Sequence, residues 1–385
     1  MTTYDWLVVG GGFTGAALAY ELRKQGFTVL LLEKDATLHN STRYSYGGIP
    51  YWSGNSPLTN QLCEEGIEYH RHLSEELAAD TEFREVDLIL TIDKRDNPES
   101  VAANCSKLAI KPRLLGVESA CQLEPLLNPQ AISGVLQLPH GHIHPLKTTF
   151  AYHQALCRAG GEMGIGEVVE LVRKGTRVEG VRTKESTYSA ANTVICAGGL
   201  SRALLKNSGI TIPLYFTQAQ IIVTPPVDLK FRTLVMPAVQ QRFSLEGEGG
   251  ELESLWDEPG REIVPAILDV GAIQFRDGHL RLGQISQVIT DVNARMDPAV
   301  SERRIREGVG RILPAVANLP GTWHNCVVAF GKNSSPLVGA ISNELGIYIF
   351  SGFNSTLLFS PPLARHFANW AATGEDEIIS SLDNW

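Results

Sequence analysis

The chain has 385 residues, 43% of them hydrophobic, and a formal net charge of -9. That length and apolar content suit two domains or one large composite around a sizeable core, and the acidic balance leaves no electrostatic footprint for a phosphodiester backbone, which excludes nucleic acid as a partner class. No apolar run approaches the roughly 18 to 20 residues that span a bilayer, the first residues lead into an apolar run with no basic leader, and a cytoplasmic location is expected. Six cysteines at 63, 105, 121, 157, 196 and 326 show no C-x-x-C pairing, so neither a disulfide framework nor a zinc site is expected.

Leu7-Val8-Val9 reads as a strand entering Gly10-Gly11-Gly12-Phe13-Thr14-Gly15, and Ala16 to Gln25 as the helix that follows, ended by Gly26. A second strand, Val29 to Leu32, closes on Glu33. In a strand-turn-helix unit of this shape Gly10 permits the tight turn, Gly12 lets the backbone approach a pyrophosphate, and Gly15 lets helix and strand pack closely. The unpaired N–H groups and positive dipole end of the helix then bind phosphate without a basic side chain. Glu33 stands eighteen residues after Gly15, the spacing at which a carboxylate accepts from an adenosine ribose and repels a 2′-phosphate, which points to FAD or NAD and away from NADP. A lone glycine cluster also fits a hairpin or an ordinary helix start; here strand, helix, second strand and terminal acid agree.

A polar loop from Asp35 to Asn60 follows, too long to be idle in a compact domain. Leu62 to Ala79 has helical periodicity, with His70 and His72 expected on its surface or at the core edge. Phe83 to Ile92 alternates as a strand, Asn104 to Leu108 reads as helical, and Gly134 to Leu138 as a short strand. His140, His142 and His144 alternate, but Pro139, Gly141 and Pro145 around them argue for a turn, and no carboxylates accompany them at metal spacing, so no metal is expected. A helix from Thr148 to Ala159 precedes a meander built from Glu167 to Val172, Arg177 to Thr183 and Thr187-Tyr188. Asn192 to Cys196 reads as a buried strand that breaks at Ala197-Gly198-Gly199, where backbone can approach a ligand closely. Strands are then expected over 220–224, 233–237, 272–275 and 280–283, with an acidic, glycine-rich insert from Glu246 to Glu258 read as a solvated loop or a lid. A helix over 298–313, a strand over 326–330, a loop over 331–336, a strand over 346–350, the turn Gly352-Phe353-Asn354 and a helix from Pro362 to Ala372 complete the chain.

Four of these signals, the opening glycine cluster with Glu33, the Ser41-Thr42-Arg43 to Gly48 loop, the Val194 to Gly199 strand and turn, and Gly352-Phe353-Asn354 before a helix, together resemble the D-amino-acid oxidase superfamily, with glycine oxidase and monomeric sarcosine oxidase as similar branches. The resemblance implies an α/β fold: a Rossmann-like FAD-binding domain (1–80, 140–212 and 320–385) with a second, mainly antiparallel α+β substrate domain (81–139 and 213–319). It implies FAD lying extended, held by Gly10, Gly12, Phe13, Thr14, Gly15, Glu33 and Lys34 at its ADP end, with Val168, Ala197 and Gly198 beside the dinucleotide. Ser41, Thr42, Arg43, Gly47, Gly48 and the turn Gly352, Phe353, Asn354, Ser355, Thr356 and Leu357 would meet the isoalloxazine, and Cys326 falls where sarcosine oxidases bond FAD covalently. As a small hydrophobe in a buried strand, Cys326 has the more ordinary place, because buried cysteine is common.

The chain departs from the family at the substrate carboxylate. Where relatives of this kind carry an arginine or lysine, Val328, Pro50 and Leu358 stand here. A buried carboxylate still needs a cation or several donors, so Arg43, Arg281 or Lys332 substitutes, or the substrate is not a simple α-amino acid. Arg281 also resembles the strand position at which sarcosine oxidases hold a lysine above the flavin to assist reaction with oxygen, and equally suits a sheet arginine paired with a surface acid. Tyr46, with Tyr51, Trp52 and Tyr215, is a candidate pocket wall. The expected activity is FAD-dependent oxidation of a C–N bond in a small amine or amino-acid-like substrate, with imine hydrolysis and oxygen as acceptor. A flavin dehydrogenase for a hydroxy acid or polyol, passing electrons to a quinone or carrier, and a catalytically degenerate flavoprotein subunit stay open.

Overall fold

The computed structural model of the protein describes residues 3–382. Strand β1 (Thr3–Val9), helix α1 (Phe13–Lys24) and strand β2 (Val29–Glu33) form the expected opening unit. β1 is paired in parallel on both sides, with β2 and with Thr187–Ile195. The sheet runs Leu337–Ala340, Ile347–Ser351, Thr187–Ile195, β1, β2, Glu162–Ile165, with the hairpin Val168–Lys174 and Arg177–Thr183 attached to its Thr187–Ile195 strand. Alternation along β1 sends Trp6 and Val8 into one apolar cluster and Leu7 and Val9 into another. A strand covered on both faces therefore reads as an unbroken apolar run. Pro145–Arg158 and Thr356–Thr373 pack beside α1, and Pro57–Glu76 packs on Thr356–Thr373.

A second, ten-stranded sheet runs Thr322–Gly331, Leu214–Val223, Leu280–Ile289, Ala272–Gln274, Thr233–Pro237, Arg84–Asp93, Ile132–His142, Gly48–Ile49, with Glu262–Leu268 also paired to Leu280–Ile289 and Arg113–Leu115 to Ile132–His142. It is antiparallel except where Thr233–Pro237 runs parallel to Arg84–Asp93. The Thr322–Gly331 strand lies in this sheet, although the sequence division groups 320–385 with the first. No helix among the described residues is long and apolar enough to cross a membrane.

Four local expectations are corrected. The helix expected over 104–108 is Pro98–Asn104, started by the Asn97 side chain accepting from the Ser100 N–H at 2.8 Å. The histidine segment is not a turn at 140 and 142: both residues end the strand Ile132–His142. Pro139 is tolerated because it faces Asp87 on one side and, on the other, falls between the short partners Arg113–Leu115 and Gly48–Ile49, where no ladder bond is needed. The acidic insert is no solvated loop. Gln241–Glu251 is a helix whose first N–H groups are capped by Asp269 (2.9 and 3.1 Å), and Leu245 and Trp256 bury themselves against Tyr215, Val288 and Phe330. The closing helix starts at Thr356 and runs through Pro361 and Pro362.

Candidate functional site

At the opening turn the glycines are required by contact. Gly10 has φ +108°, and a Cβ on Gly15 would stand 1.9 Å from the Gly10 carbonyl oxygen. Gly12 is the N-cap of α1 and offers no side-chain cap, so the helix N-terminus keeps donors for an anion. Buried Glu33 accepts from the Gly11 N–H at 2.7 Å and from the Asp35 N–H at 3.1 Å. Thr42 Oγ1 accepts from the Phe13 N–H at 3.0 Å, and the Asn40 side chain caps the short helix Ser41–Tyr44 that delivers Thr42. Around Gly198, at φ +55°, a Cβ would meet nothing within 4 Å. The open space beside Gly198, the first-turn N–H groups of α1 beyond the one that Thr42 takes, and the acid closing β2 fit an extended dinucleotide. Lys34 is exposed and pairs with Asp35 at 3.6 Å, and the Phe353 ring is buried against Phe350 at 4.9 Å. Sequence reasoning missed His153, whose Nε2 donates to the Gly11 carbonyl at 2.8 Å. Its partner lies 142 residues away, beyond any local pattern.

The other glycine turns converge by backing onto fixed backbone and rings. A Cβ at Gly47 would stand 2.2 Å from the Ile143 oxygen, one at Gly48 2.7 Å from His140 Nε2, and one at Gly352 2.9 Å from the Gly331 nitrogen. Thr356 Oγ1 donates to the Phe353 carbonyl at 3.0 Å, Ser355 is the helix N-cap without a side-chain bond, and the buried Asn354 Oδ1 has no partner. Arg43 reaches the Leu38 carbonyl at 3.5 Å, and Val168, half-buried, begins its strand.

The second sheet holds a buried cation, on its strand Leu280–Ile289. Arg281 is 4% exposed, makes no ion pair among the described residues, and has no hydrogen-bond partner for Nε or Nη1. Its guanidinium carbon lies 4.2 Å from the centre of the Phe275 ring, a cation–π contact that partly replaces lost hydration. His279 stacks on Phe275 at 4.3 Å, and His142 and His144 meet it edge-on at 4.8 and 5.4 Å. Burial lowers the Arg281 pKa to about 10, with Tyr46 and Cys326 acting the other way, so it stays charged at neutral pH. Burial drives His140 to about 3 and His144 to about 4, leaving both rings neutral. Burial likewise raises the Tyr46 phenol, whose oxygen has no partner, and it pushes the Cys326 thiol up to about 12 against the pull of Arg281. His140 Nδ1 accepts from Trp52 Nε1 at 2.9 Å, and His142 Nε2 donates to the Tyr46 carbonyl at 3.0 Å. Arg281 thus lies within electrostatic reach of Tyr46 and of Cys326. Lys332 is half-exposed and paired with Glu253 at 2.5 Å. Tyr215 belongs to the cluster under the insert.

The chain belongs to the DAO family of FAD dependent oxidoreductases, whose sequence profile matches residues 5–370. The protein is accordingly an FAD-dependent oxidoreductase. It is similar to 4-methylaminobutanoate oxidase (formaldehyde-forming) of Paenarthrobacter nicotinovorans, 23% identical over 384 residues that cover 97% of this chain and 44% of that protein. It is also similar to the peroxisomal sarcosine oxidase of Homo sapiens, 27% identical over 215 residues, 55% of this chain and 54% of that one. The chain therefore spans about half the length of those curated relatives. In fold it matches glycine oxidase from Geobacillus kaustophilus, with a TM-score of 0.79 at 17% identity over 98% of this chain and 96% of that chain.

Proposed function

We propose that the protein oxidises the C–N bond of a small amine that also bears a carboxylate. The observation that carries this reading is Arg281, a buried guanidinium with two unpartnered nitrogens, within electrostatic reach of the Tyr46 phenol, whose buried oxygen is also unpartnered. A charge removed from water without an anion is costly, and a substrate carboxylate would supply the missing partner through charge-assisted hydrogen bonds. The named activities of the similar amine oxidases support the same choice. FAD, when bound, accepts hydride from the carbon next to nitrogen, and water then hydrolyses the resulting imine. The chain's own work is to hold and orient: Arg281 and Tyr46 take the carboxylate, the neutral His140, His142 and His144 with Phe275 exclude water, and the glycine turns bring backbone close to the cofactor. In this reading residues 1–80, 140–212 and 320–385 hold FAD, 81–139 and 213–319 face the substrate, and the Thr322–Gly331 strand is shared, since the Gly331 N–H donates to the Gly352 carbonyl at 3.3 Å. Lys332 is left with no part in binding substrate, and Cys326 is read as a packed thiol near Arg281.

The test is an anaerobic visible spectrum of the FAD-loaded protein against a panel of amines, amino acids and hydroxy acids. Bleaching by carboxylate-bearing amines is expected. Bleaching by hydroxy acids alone would move the protein to the dehydrogenase class, and no bleaching by any of them would make it a degenerate flavoprotein. Acid precipitation of the same sample should release the flavin to the supernatant; colour in the pellet would restore Cys326 as a covalent anchor.

A further inference from the structure

The closing helix Thr356–Thr373 carries two prolines in its interior, Pro361 and Pro362. An α-helix bonds the carbonyl of residue i to the N–H of residue i+4, whereas proline has no N–H and crowds the carbonyl four residues back. The carbonyls deprived here are those of Leu357 and Leu358. The break thus falls in the first turn of the helix, directly after the Gly352–Ser355 turn.

Both carbonyls are met by one neighbouring helix, Pro57–Glu76. His70, expected at the helix surface or core edge, is 0% exposed and places Nε2 2.6 Å from the Leu357 carbonyl oxygen. A carbonyl only accepts, so Nε2 carries the proton and Nδ1, which has no partner, does not. Burial lowers the ring's pKa to about 4, which keeps it in this neutral form. One turn earlier Gly66 admits the second carbonyl: a Cβ there would stand 2.4 Å from the Leu358 oxygen. Phe83 stacks on the imidazole at 6.2 Å and fixes its plane. A ring needed for packing alone would leave no reason for a buried polar atom at hydrogen-bond distance from the one carbonyl that Pro361 orphans.

We propose that His70 is a positioning residue: its Nε2–H replaces the amide hydrogen that Pro361 lacks and so holds the Gly352–Leu357 turn in place at the flavin end of the cofactor site. This rests on the assignment of that turn to the flavin. His70 touches neither cofactor nor substrate in this scheme and acts only through the Leu357 carbonyl.

The experiment is a double-mutant cycle with a conservative control. His70→Phe removes the donor, His70→Gln keeps an N–H, and Pro361→Ala restores the helix amide. Expected for His70→Phe are FAD binding weakened about tenfold, a shifted flavin reduction potential and a less resolved visible band. His70→Gln should stay close to the parent, and His70→Phe with Pro361→Ala should recover most of the loss. Equal FAD affinity and spectrum in His70→Phe and the parent, or loss in His70→Phe that Pro361→Ala does not recover, would overturn the proposal. Should His70→Phe fail to fold, recovery of folded protein in the double variant supports it and failure of both overturns it. Melting of the flavin-free proteins reads the same coupling without cofactor: additive effects at 70 and 361 would overturn the hydrogen bond. A parent protein that takes up no FAD would instead refute the turn's assignment to the flavin, and with it the cofactor reading.

Discussion

Arg281 is the residue whose surroundings are hardest to explain without a ligand. Structural arginines in this chain find carboxylates or carbonyls: Arg202 forks onto Asp257, Arg173 donates to Glu344 and to the Ser208 carbonyl, and Arg306 donates to Glu302 and two carbonyls. Arg281 instead lies against an aromatic face with two nitrogens idle. Removing a buried charge that has no counter-ion relieves a desolvation penalty, so Arg281→Met should leave the melting temperature unchanged or raise it. The same substitution should lower kcat/KM for a carboxylate-bearing amine by about 10- to 100-fold, from the loss of charge-assisted hydrogen bonds. Steady-state kinetics beside a melting curve checks both. A destabilised variant with unchanged KM would make Arg281 a structural cation and remove the basis for the carboxylate.

At the scale of elements, legibility followed the range of the interactions that decide each one. The β1–α1–β2 unit, with Glu33 at its end, is specified by neighbours in sequence, and the structure reproduces it from Thr3 to Glu33. The strand ending at His142 was obscured by Pro139 and Gly141, because the gap between two short partner strands that admits a proline is a tertiary fact. The helix Gln241–Glu251 was hidden by its glycines and acids; what stabilises it is the remote Asp269 cap and the burial of Leu245. Among site residues, Gly10, Gly15, Glu33 and Thr42 carried local or family signals. His70 carried none that showed its role, with its partner 287 residues away. The insert is tied down at Asp257, which takes both Arg202 Nε and Nη2, at 3.1 and 2.8 Å, and Lys206 at 3.0 Å. Asp257→Ala should free it. Limited proteolysis should cut within 241–258 several-fold faster than in the parent, with only a small change in melting temperature because the pair is partly exposed. Unchanged cleavage would show that Leu245 and Trp256 alone hold the segment.

For the whole molecule, acid sensitivity follows from how many imidazoles are buried neutral. His70 and His144 are lowered to about 4 and His140 to about 3, each chiefly by burial. In the unfolded chain these rings take a proton near pH 6.5, so between that value and their folded values the unfolded state binds more protons. Stability is then complete above about pH 6.5 and falls as pH drops toward 4. Glu21 and Asp269, raised by burial, oppose the trend in part. Melting temperature should therefore decline from pH 7 to pH 5, before ordinary surface carboxylates titrate, and His140→Gln should flatten the slope. A level profile over that range would refute it. The sheet order has a consequence for synthesis. β1 is made well before residues 187–195, which close one of its edges with Thr3 opposite Ser189, and that strand in turn pairs with Ile347–Ser351. The glycine turn after β1 thus waits, its leading strand half-paired, until residues 187–195 have been made, and that strand waits in turn for 347–351. A nascent chain halted midway would expose an apolar edge where the finished protein holds its dinucleotide, so translation speed and chaperone supply should govern the yield of this protein more than the stability of its finished fold.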